Sequence, residues 1–386
     1  LQGASLQIGD GGSGSGGMGG RKPQDAANRA AASRSAAQAA KKKKIRRIIV
    51  MAVAEVLTLI CIGFYGYALR LNSSLIHSND FDKSKVKNTE LPVAKTEHMQ
   101  GYMTIAVFGV DSRDGNVHKG TNTDVIMLCN INRDTGEIKL VSVFRDTYLN
   151  TSSGGTYNKI NSAYANGGAE QALAALNRNL DLNIEDYVTF NWKSVADGIN
   201  MLGGIDGIDI SKAEFRYINS FITETVQKTG VPSTQLKSAG VQHLDGIQAV
   251  AYGRLRLMDT DYARTERQRL VIQKAFEKAK QADLGLLNRI LLMEVEQVET
   301  SLSFSDLTSL ILDIGKYHIG ETGGFPFARD SMIMGKKGDC VIPQTLESNV
   351  TELHKFLYGE EGYQTTDLVK KISAKTVSYT HLTLPT

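Results

Sequence analysis

AVAYGRLRLMDTDYARTERQ, residues 249–268, joins an apolar run to a charged segment that carries several arginines. If AVAYGRLRL is a strand, Arg254 and Arg256 project from the same face, because side chains alternate along a strand. The continuation DYARTERQRLVIQKAFEKAKQ predicts a helix on which Arg264 and Gln268, four positions apart, share a face. The end of a strand and the start of a helix are therefore expected to converge on one spot.

The charges at this spot indicate a site for a polyanion. Asp261 opens the predicted helix, where the helix dipole favours an anion. Neighbouring guanidinium groups repel each other unless an anion lies between them, and arginine binds phosphate oxygens through paired hydrogen bonds. The alternative is a solvated charged helix face, but arginines within an apolar run favour the phosphate interpretation. Arg267 and Arg269, on other faces of the helix, should tolerate alanine with little effect on binding.

Composition excludes several classes of protein. The chain has 386 residues, 41% of them hydrophobic, and a net charge of +3, which is too small for the basic field of most nucleic-acid binders. Its three cysteines are too few for a disulfide scaffold. Cys61 lies in an apolar span, while Cys129 and Cys340 are either paired or two buried thiols. The absence of C-x-x-C or His-rich spacing argues against a zinc or iron–sulfur site.

The N-terminal region predicts a membrane anchor. Residues 1–44 are rich in Gly, Ser and Ala and end in four lysines, which predicts a disordered tail. Residues 45–70 are expected to form a transmembrane helix, since Ile48–Leu69 contains a single charge, Glu55. The alternative, a signal peptide, would have an unusually long apolar region without a clear cleavage site. The basic run KKKKIRR before the span predicts a cytoplasmic N-terminus and a domain outside the membrane.

The rest of the chain predicts a layered α/β/α domain with a central mixed β-sheet. Residues 71–98 are polar and read as a tether, 99–376 as the folded domain, and 377–386 (VSYTHLTLPT) as a non-native tail. Strands interleaved with helices favour layered α/β packing, with a mostly helical region from 284 to 375. The predicted strands are 104–110, 124–131, 138–144 and 187–191, and the first predicted helices are 169–180 and 194–202.

Charged residues follow the ends of the predicted strands, where α/β sheets place their sites. Asp111 and Arg113 follow the first strand, Asp124 begins the second, and Arg145 follows the third. Two carboxylates beside arginines suit Mg²⁺, with Mn²⁺ as the alternative, because Mg²⁺ combines one or two carboxylates with substrate phosphates.

Six blocks in this order resemble LytR-CpsA-Psr proteins. The blocks are FGVDSR (108–113), Thr123-Asp124, VSVFRDTYL (141–149), KINSAY (159–164), LGGIDGIDI (202–210) and YGRLRLMDTDYARTERQ (252–268). The resemblance covers residues 99–280, and we expect it to extend to 375. It implies a single-pass protein of a Gram-positive-type cell membrane. This protein would transfer a glycopolymer, such as teichoic acid or capsular polysaccharide, from a polyprenyl-pyrophosphate carrier to peptidoglycan.

The resemblance also implies roles for individual residues. Metal binding falls to Asp111 and Asp124; pyrophosphate binding falls to Arg145, Arg254, Arg256, Arg264 and Gln268, with Arg113 and Lys159 in matching blocks. The implied catalytic group comprises Asp124, Arg145, Asp261 and Arg264. Two positions depart from the family pattern: Phe144 replaces a usual Pro, and Asn122 replaces a frequent Arg.

The mechanism leaves alternatives open at this stage. Arginines and Mg²⁺ would offset the charge of the leaving lipid phosphate, while Asp124 or Asp261 would accept the proton of the attacking hydroxyl. The isoprenoid tail needs an apolar slot, for which 169–180 and 194–202 are candidate walls. Competing functions are a polyprenyl-pyrophosphate hydrolase, a non-catalytic lipid-binding module and a membrane-bound transcriptional attenuator. The attenuator is disfavoured because no DNA-recognition helix is visible.

Overall fold

The computed structural model describes residues 81–111, 117, 120–256, 260–295 and 297–382, and, nearer the N-terminus, residues 28, 34, 38, 41–46, 50, 51 and 53–62. The chain divides into two compact units, Leu1–Tyr67 and Ala68–Thr386. Most of the predicted tail and part of the predicted anchor lie outside the described residues. Among the residues that are described, no helix has both the length and the apolar character needed to cross a membrane.

Helices and strands alternate through the second unit. The strands are β1 Tyr102–Val110, β2 Thr123–Asn132, β3 Glu137–Val143, β4 Tyr148–Asn150, β5 Tyr157–Lys159, β6 Asp186–Asn191, β7 Ile205–Ile210, β8 Gly240–Leu244, β9 Glu299–Thr300, β10 His318–Phe325, β11 Arg329–Ile333 and β12 Asp339–Pro343. The helices are α1 Lys83–Val86, α2 Val93–Met99, α3 Asn161–Leu180, α4 Trp192–Met201, α5 Lys212–Thr229, α6 Gly246–Arg254, α7 Asp261–Gln281, α8 Leu284–Glu294, α9 Phe304–Leu312, α10 Leu346–Tyr358 and α11 Asp367–Leu382.

A six-stranded mixed sheet in the order β10-β3-β2-β1-β6-β9 forms the centre of this unit. Strands β1, β2 and β3 are antiparallel neighbours, and the hairpin sequence NRDTG predicts the β2–β3 pairing. β6 pairs with β1 in parallel, and β10 with β3 in parallel. The C-terminal ends of β1 and β3 therefore lie at the same edge of the sheet as the start of β2. This edge collects the charged residues that follow the strands.

Helices cover both faces of the sheet, which confirms the central mixed sheet and the α/β/α layering. Phe108 and Leu128 pack in one core cluster with residues of α3, α10 and α11. Met127 and Leu140 pack on the opposite face with residues of α7 and α9. The period-2 alternation of the strands produces this division, since adjacent side chains point to opposite faces. A further cluster joins α4, α5 and α6 to the β7–β8 hairpin.

The predicted strand over AVAYGRLRL is wrong, because residues 246–254 form helix α6. Residues Gly246–Gly253 are all buried, so the run shows no helical periodicity and cannot be told from a buried strand. A local signal was nevertheless present: the Asp245 side chain accepts from the Gln248 N–H at 2.9 Å and Gln248 reciprocates, which is a capping box. Arg254 therefore ends a helix, and Arg256 follows it in a connecting segment.

Two further predictions need correction. The predicted tether 71–98 is partly folded, because α1 and α2 pack on the domain and bury Val86 and Met99 in its core. The region from 284 onward contains α8, α9 and α10 as predicted, but also β10 at the sheet edge and the β11–β12 hairpin. Helix α7 starts and ends at the predicted residues, and α4 is followed by Gly203 and Gly204, both with positive φ, as the stop signal predicted. Helix α11 continues into the predicted tail 377–386 as far as Leu382.

Candidate functional site

A cavity of about 770 Å³ lies between one face of the sheet and helices α4, α5, α6, α7 and α8. Its inner walls are apolar, with Val107 and Met127 on the sheet side and Ile199, Val271 and Ile290 on the helix side. The charged lining residues and Gln268 are the ones that the sequence singled out, together with three charged residues that it did not. These residues are Asp111, Asp124, Arg254, Arg256, Arg264 and Gln268, and the additional Lys228, Glu224 and Glu294. The cavity is therefore amphipathic.

Arg254 is fixed from several sides. Its guanidinium carbon lies 3.6 Å from the centroid of the Trp192 ring, and the group pairs with Glu224 at 3.1 Å and donates to the Thr225 hydroxyl at 2.6 Å. Burial lowers the pKa of Arg254, while the charge of Glu224 acts in the opposite direction. Arg256, by contrast, is exposed and has no ion-pair partner among the described residues. One arginine is thus held rigidly at the cavity and the other is free to meet a ligand.

Arg264 and Gln268 line the cavity from α7, and the shared face predicted for them is confirmed. Arg264 is only 3% exposed and pairs with Asp261 at 2.7 Å, one turn earlier on the helix. Burial lowers the pKa of Arg264, and the charges of Arg145 and Arg256 lower it further, which shows that the cations crowd together. Oε1 of Gln268 and Oδ2 of Asp261 are buried without a hydrogen-bond partner in the described structure.

Arg145 connects Asp124 to the residues that follow β3. It forms an ion pair with Asp124, and its Nε lies 3.5 Å from Asp146. Burial acts to lower the pKa of Arg145, but the charges of Asp124, Asp261 and Asp146 outweigh burial and raise it. Lys159 reaches this group through Asp146, at 2.9 Å, and does not line the cavity. The structure therefore brings Arg145 into the cluster directly and Lys159 one ion pair further out.

Asp111 and Asp124 both line the cavity, next to the point where Val110 pairs with Thr123 across β1 and β2, at a register shift. Oδ2 of Asp111 lies 3.5 Å from the Lys228 ammonium, whereas Oδ1 is buried and unpartnered in the described structure. The structure describes no group of three or more His, Cys, Asp or Glu that could hold a metal ion. Two carboxylates suit a cation that completes its coordination with substrate oxygens.

Sequence reasoning missed Lys228, Glu224 and Trp192. Lys228 lies 4.5 Å above the Trp192 ring, which also supports Arg254, so the single Trp of the chain carries two cations. Lys228 and Glu224 are on α5, which the sequence analysis did not assign, and no local pattern relates them to Asp111. A lone Trp where β6 passes into α4 was the only available signal.

Other predicted residues either do not line the cavity or lie outside the described part of the chain. Arg113 lies outside the described residues. Segment 194–202 lines the cavity, but 169–180 does not, because α3 packs on the opposite face of the sheet. Arg267 and Arg269 are buried and donate to the Leu255 carbonyl at 2.6 Å and the Ser142 hydroxyl at 2.9 Å. They brace α7 against its neighbours instead of facing solvent.

Cys129 and Glu294 are titratable groups that border the apolar part of the cavity. Cys129 and Cys340 are free thiols, and burial raises the pKa of Cys129 to about 12. Glu294 has both carboxyl oxygens buried, with no hydrogen bond to a described residue. Burial first, and then the charge of Asp197, raise the pKa of Glu294 to about 8, while Lys193 acts in the opposite direction. Both groups are therefore neutral at pH 7, as an apolar wall requires.

The chain is similar to known proteins in both sequence and structure. The LytR_cpsA_psr family model matches residues 65–320. The teichoic acid transferase TagU of Enterococcus faecalis, named as a polyisoprenyl-teichoic acid–peptidoglycan transferase, is 30% identical over 237 residues, which cover 59% of this chain and 72% of TagU. A structure of TagT bound to LIIa-WTA aligns with a TM-score of 0.55 at 20% identity, covering 73% of this chain and 99% of TagT. A TagT structure with bound octaprenyl pyrophosphate aligns with a TM-score of 0.50 at 21% identity, covering 70% and 96%.

Proposed function

The chain belongs to the LytR_cpsA_psr family, and from this premise we propose that it transfers a glycopolymer from a polyprenyl-pyrophosphate carrier to peptidoglycan. One observation carries the proposal: an apolar cavity of about 770 Å³ is lined at its polar side by Arg254, Arg256, Arg264 and Gln268. Such a cavity matches a ligand that is a pyrophosphate at one end and a hydrocarbon at the other. The name of the TagU relative and the lipid in the TagT structure support the same reading.

The arginines bind the pyrophosphate, and the apolar cavity walls bind the isoprenoid. The planar guanidinium of arginine binds two phosphate oxygens at once, and these charge-assisted hydrogen bonds are stronger in a site from which water is excluded. Trp192 and Glu224 hold Arg254 in place before the ligand arrives, so little conformational entropy is lost on binding. The apolar walls from α4, α7 and α8 hold the isoprenoid and orient the pyrophosphate toward Asp124 and Asp261.

The reaction is a displacement at phosphorus. A hydroxyl oxygen of the acceptor attacks the phosphate that carries the glycopolymer, the bond to the second phosphate breaks, and the lipid leaves as a monophosphate. Asp261 accepts the hydroxyl proton, since its Oδ2 has no hydrogen-bond partner in the described structure and the residue borders the arginine cluster. Arg145 and Arg264 stabilise the charge that develops on the phosphates. Of the two aspartates that the sequence left open, Asp124 is then available for a metal ion.

A divalent cation fits this arrangement. Asp111 and Asp124 would hold Mg²⁺ or Mn²⁺, and the unpartnered Oδ1 of Asp111 supports this assignment. When bound, the cation supplies positive charge that offsets the phosphates of the substrate. Lys228 lies 3.5 Å from Asp111 and orients the carboxylate.

A membrane anchor belongs to the same proposal. The composition of Ile48–Leu69 and the preceding KKKKIRR support a single span, a cytoplasmic N-terminus and a domain in the cell envelope. A carrier lipid embedded in the membrane would then reach the cavity from the same side as its acceptor.

The experiment that tests the proposed function identifies both lipid and products. Mass spectrometry of lipid extracted from the purified protein should detect a polyprenyl phosphate or pyrophosphate, and Arg264→Ala should remove it. Incubation with a lipid-linked glycopolymer and peptidoglycan should then give a phosphodiester-linked conjugate. Free glycopolymer phosphate, formed at the same rate with and without peptidoglycan, would instead identify a hydrolase.

A further inference from the structure

A second concave surface lies beside the first turn of α7, on the other side from the cavity. We call it the outer groove, and it has a volume of about 610 Å³. The side chains that define it are Tyr262, Phe327, Arg329, Asp330, Ser331 and Gln344. Asp330, Ser331 and Gln344 are exposed, so the groove combines aromatic, cationic, anionic and neutral polar groups. None of these residues lines the cavity.

Helix geometry explains why the groove and the cavity share one turn of α7. Tyr262 and Arg264 are two positions apart, which separates them by about 200° around the helix axis. Arg264 lines the cavity and Tyr262 lines the groove. Asp261 starts the same turn and pairs with Arg264 at 2.7 Å. The proposed proton acceptor thus belongs to the turn that separates the two spaces.

Arg329 is held rigidly at the groove, with part of its guanidinium unused. Its guanidinium carbon lies 3.9 Å from the centroid of the Tyr262 ring and 4.7 Å from that of Phe144. Nη1 donates to the carbonyls of Pro326 and Phe327 at 3.0 and 3.1 Å. Within the described chain, no residue accepts a hydrogen bond from Nε or Nη2, and Nε is buried. Nη2, which unlike Nε is not buried, can donate a charge-assisted hydrogen bond to a carboxylate.

On the basis of the proposed function, we propose that the outer groove binds the acceptor, an amino-sugar strand whose side branches carry carboxylates. Arg329 binds a carboxylate of the branch. The Tyr262 hydroxyl, which has no hydrogen bond to a described residue, meets the hydroxyls of the sugar. Asp330, Ser331 and Gln344 offer further polar contacts along the strand.

The direction of the displacement selects the acceptor over the donor glycan as the occupant. The attacking and leaving oxygens lie roughly in line through the phosphorus atom. The leaving lipid phosphate occupies the cavity, so the attacking hydroxyl approaches from the other side of the phosphate. Tyr262 of the outer groove directly follows Asp261 in the first turn of α7, so a strand in the groove would place its hydroxyl beside the proposed proton acceptor.

The test measures binding of the acceptor separately from binding of the lipid. Peptidoglycan fragments with free carboxylates and chitin oligosaccharides, which share the amino-sugar backbone but lack carboxylates, are titrated into full-length protein in detergent by calorimetry. Arg329→Gln should weaken fragment binding about tenfold, because a charge-assisted bond is lost. It should leave the weaker chitin binding and the affinity for polyprenyl pyrophosphate unchanged. In turnover, the KM for the acceptor should rise with little change in kcat.

Two further variants keep the test decisive. Tyr262→Phe removes one hydroxyl and should lower fragment affinity several-fold, even if Arg329→Gln does not fold. Arg133→Ala, at an exposed arginine in the β2–β3 turn at the opposite end of the sheet, is the matched control and should bind fragments as the wild type does. Unchanged fragment affinity in the folded groove variants, or an equal loss in Arg133→Ala, would overturn the proposal. Absence of carrier lipid from the wild type counts against the proposed function, whereas fragment binding that depends on Arg329 supports the groove whatever the lipid result.

Discussion

Replacing Arg256 by alanine tests the pyrophosphate site with the least disturbance of the fold. Arg256 is exposed, lines the cavity and has no ion-pair partner among the described residues. Its charge lowers the pKa of the neighbouring Arg264, so its removal relieves a repulsion in the ligand-free site. Surface changes of this kind alter the free energy of unfolding by about 0.5 kcal/mol or less. The variant should therefore fold with a Tm equal to or slightly above that of the wild type.

The expected loss of lipid affinity follows from the bonds that Arg256 would form. A hydrogen bond to a charged group contributes about 1.5–3 kcal/mol, and each 1.4 kcal/mol corresponds to about tenfold in Kd. Arg256→Ala should therefore weaken polyprenyl-pyrophosphate binding by roughly 10- to 100-fold. Arg256→Lys should restore only part of this loss, because an ammonium cannot form the planar fork.

The assay is equilibrium binding of a fluorescent polyprenyl pyrophosphate in detergent, with Tm measured on the same samples. Arg133→Ala is the control, since it removes an equally exposed arginine at the far end of the sheet. Arg254→Ala offers a contrast: it should also lose affinity, but with a lower Tm, because Arg254 packs on Trp192 and pairs with Glu224. Equal losses in Arg133→Ala and Arg256→Ala would show a generic basic surface and refute the assignment.

Four more outcomes are expected. Asp124→Asn should abolish both Mg²⁺-dependent turnover and metal binding while leaving the circular dichroism spectrum unchanged; full activity in EDTA would exclude the metal. The raised pKa of Glu294, about 8 against its usual 4.5, means that the folded state binds the proton more tightly than the unfolded state. The contribution of Glu294 to stability is present at low pH and declines between about pH 4.5 and 8. The free energy of unfolding measured with urea should therefore depend less on pH in Glu294→Gln than in the wild type across this range. The same pH dependence in both proteins would show that Glu294 is not its source. Arg269→Ala should lower Tm by several degrees, since it leaves Ser142 without its donor at 2.9 Å, with lipid affinity of the folded fraction retained. Protease added to protoplasts should digest the 99–376 domain, and its protection would overturn the proposed topology.

The local content of the sequence predicted much of the fold. Helix α7 could be assigned to the residue, and its start is marked by Thr260, whose side chain caps the helix by accepting from the Ala263 N–H. The β1–β3 strands were evident from their alternation and from the NRDTG turn. Helix α6 was misassigned because it is buried all round, so its apolar run lacks the periodicity that separates helix from strand. Strand β10 escaped notice because its GETGG segment has neither β-branched alternation nor a hairpin partner nearby in sequence.

Sequence alone determined the strands that carry Asp111, Asp124 and Arg145, and the shared face of Arg264 and Gln268. These features follow from spacing along one element or from the order of hairpin strands. The tertiary structure decided which other groups meet them: Lys228 reaches Asp111 across 117 positions of the chain, and the outer groove gathers residues from α7 and the β11–β12 hairpin. Such contacts depend on how helices pack on the sheet, which is set by the shape of entire buried faces and leaves no signal at any single position.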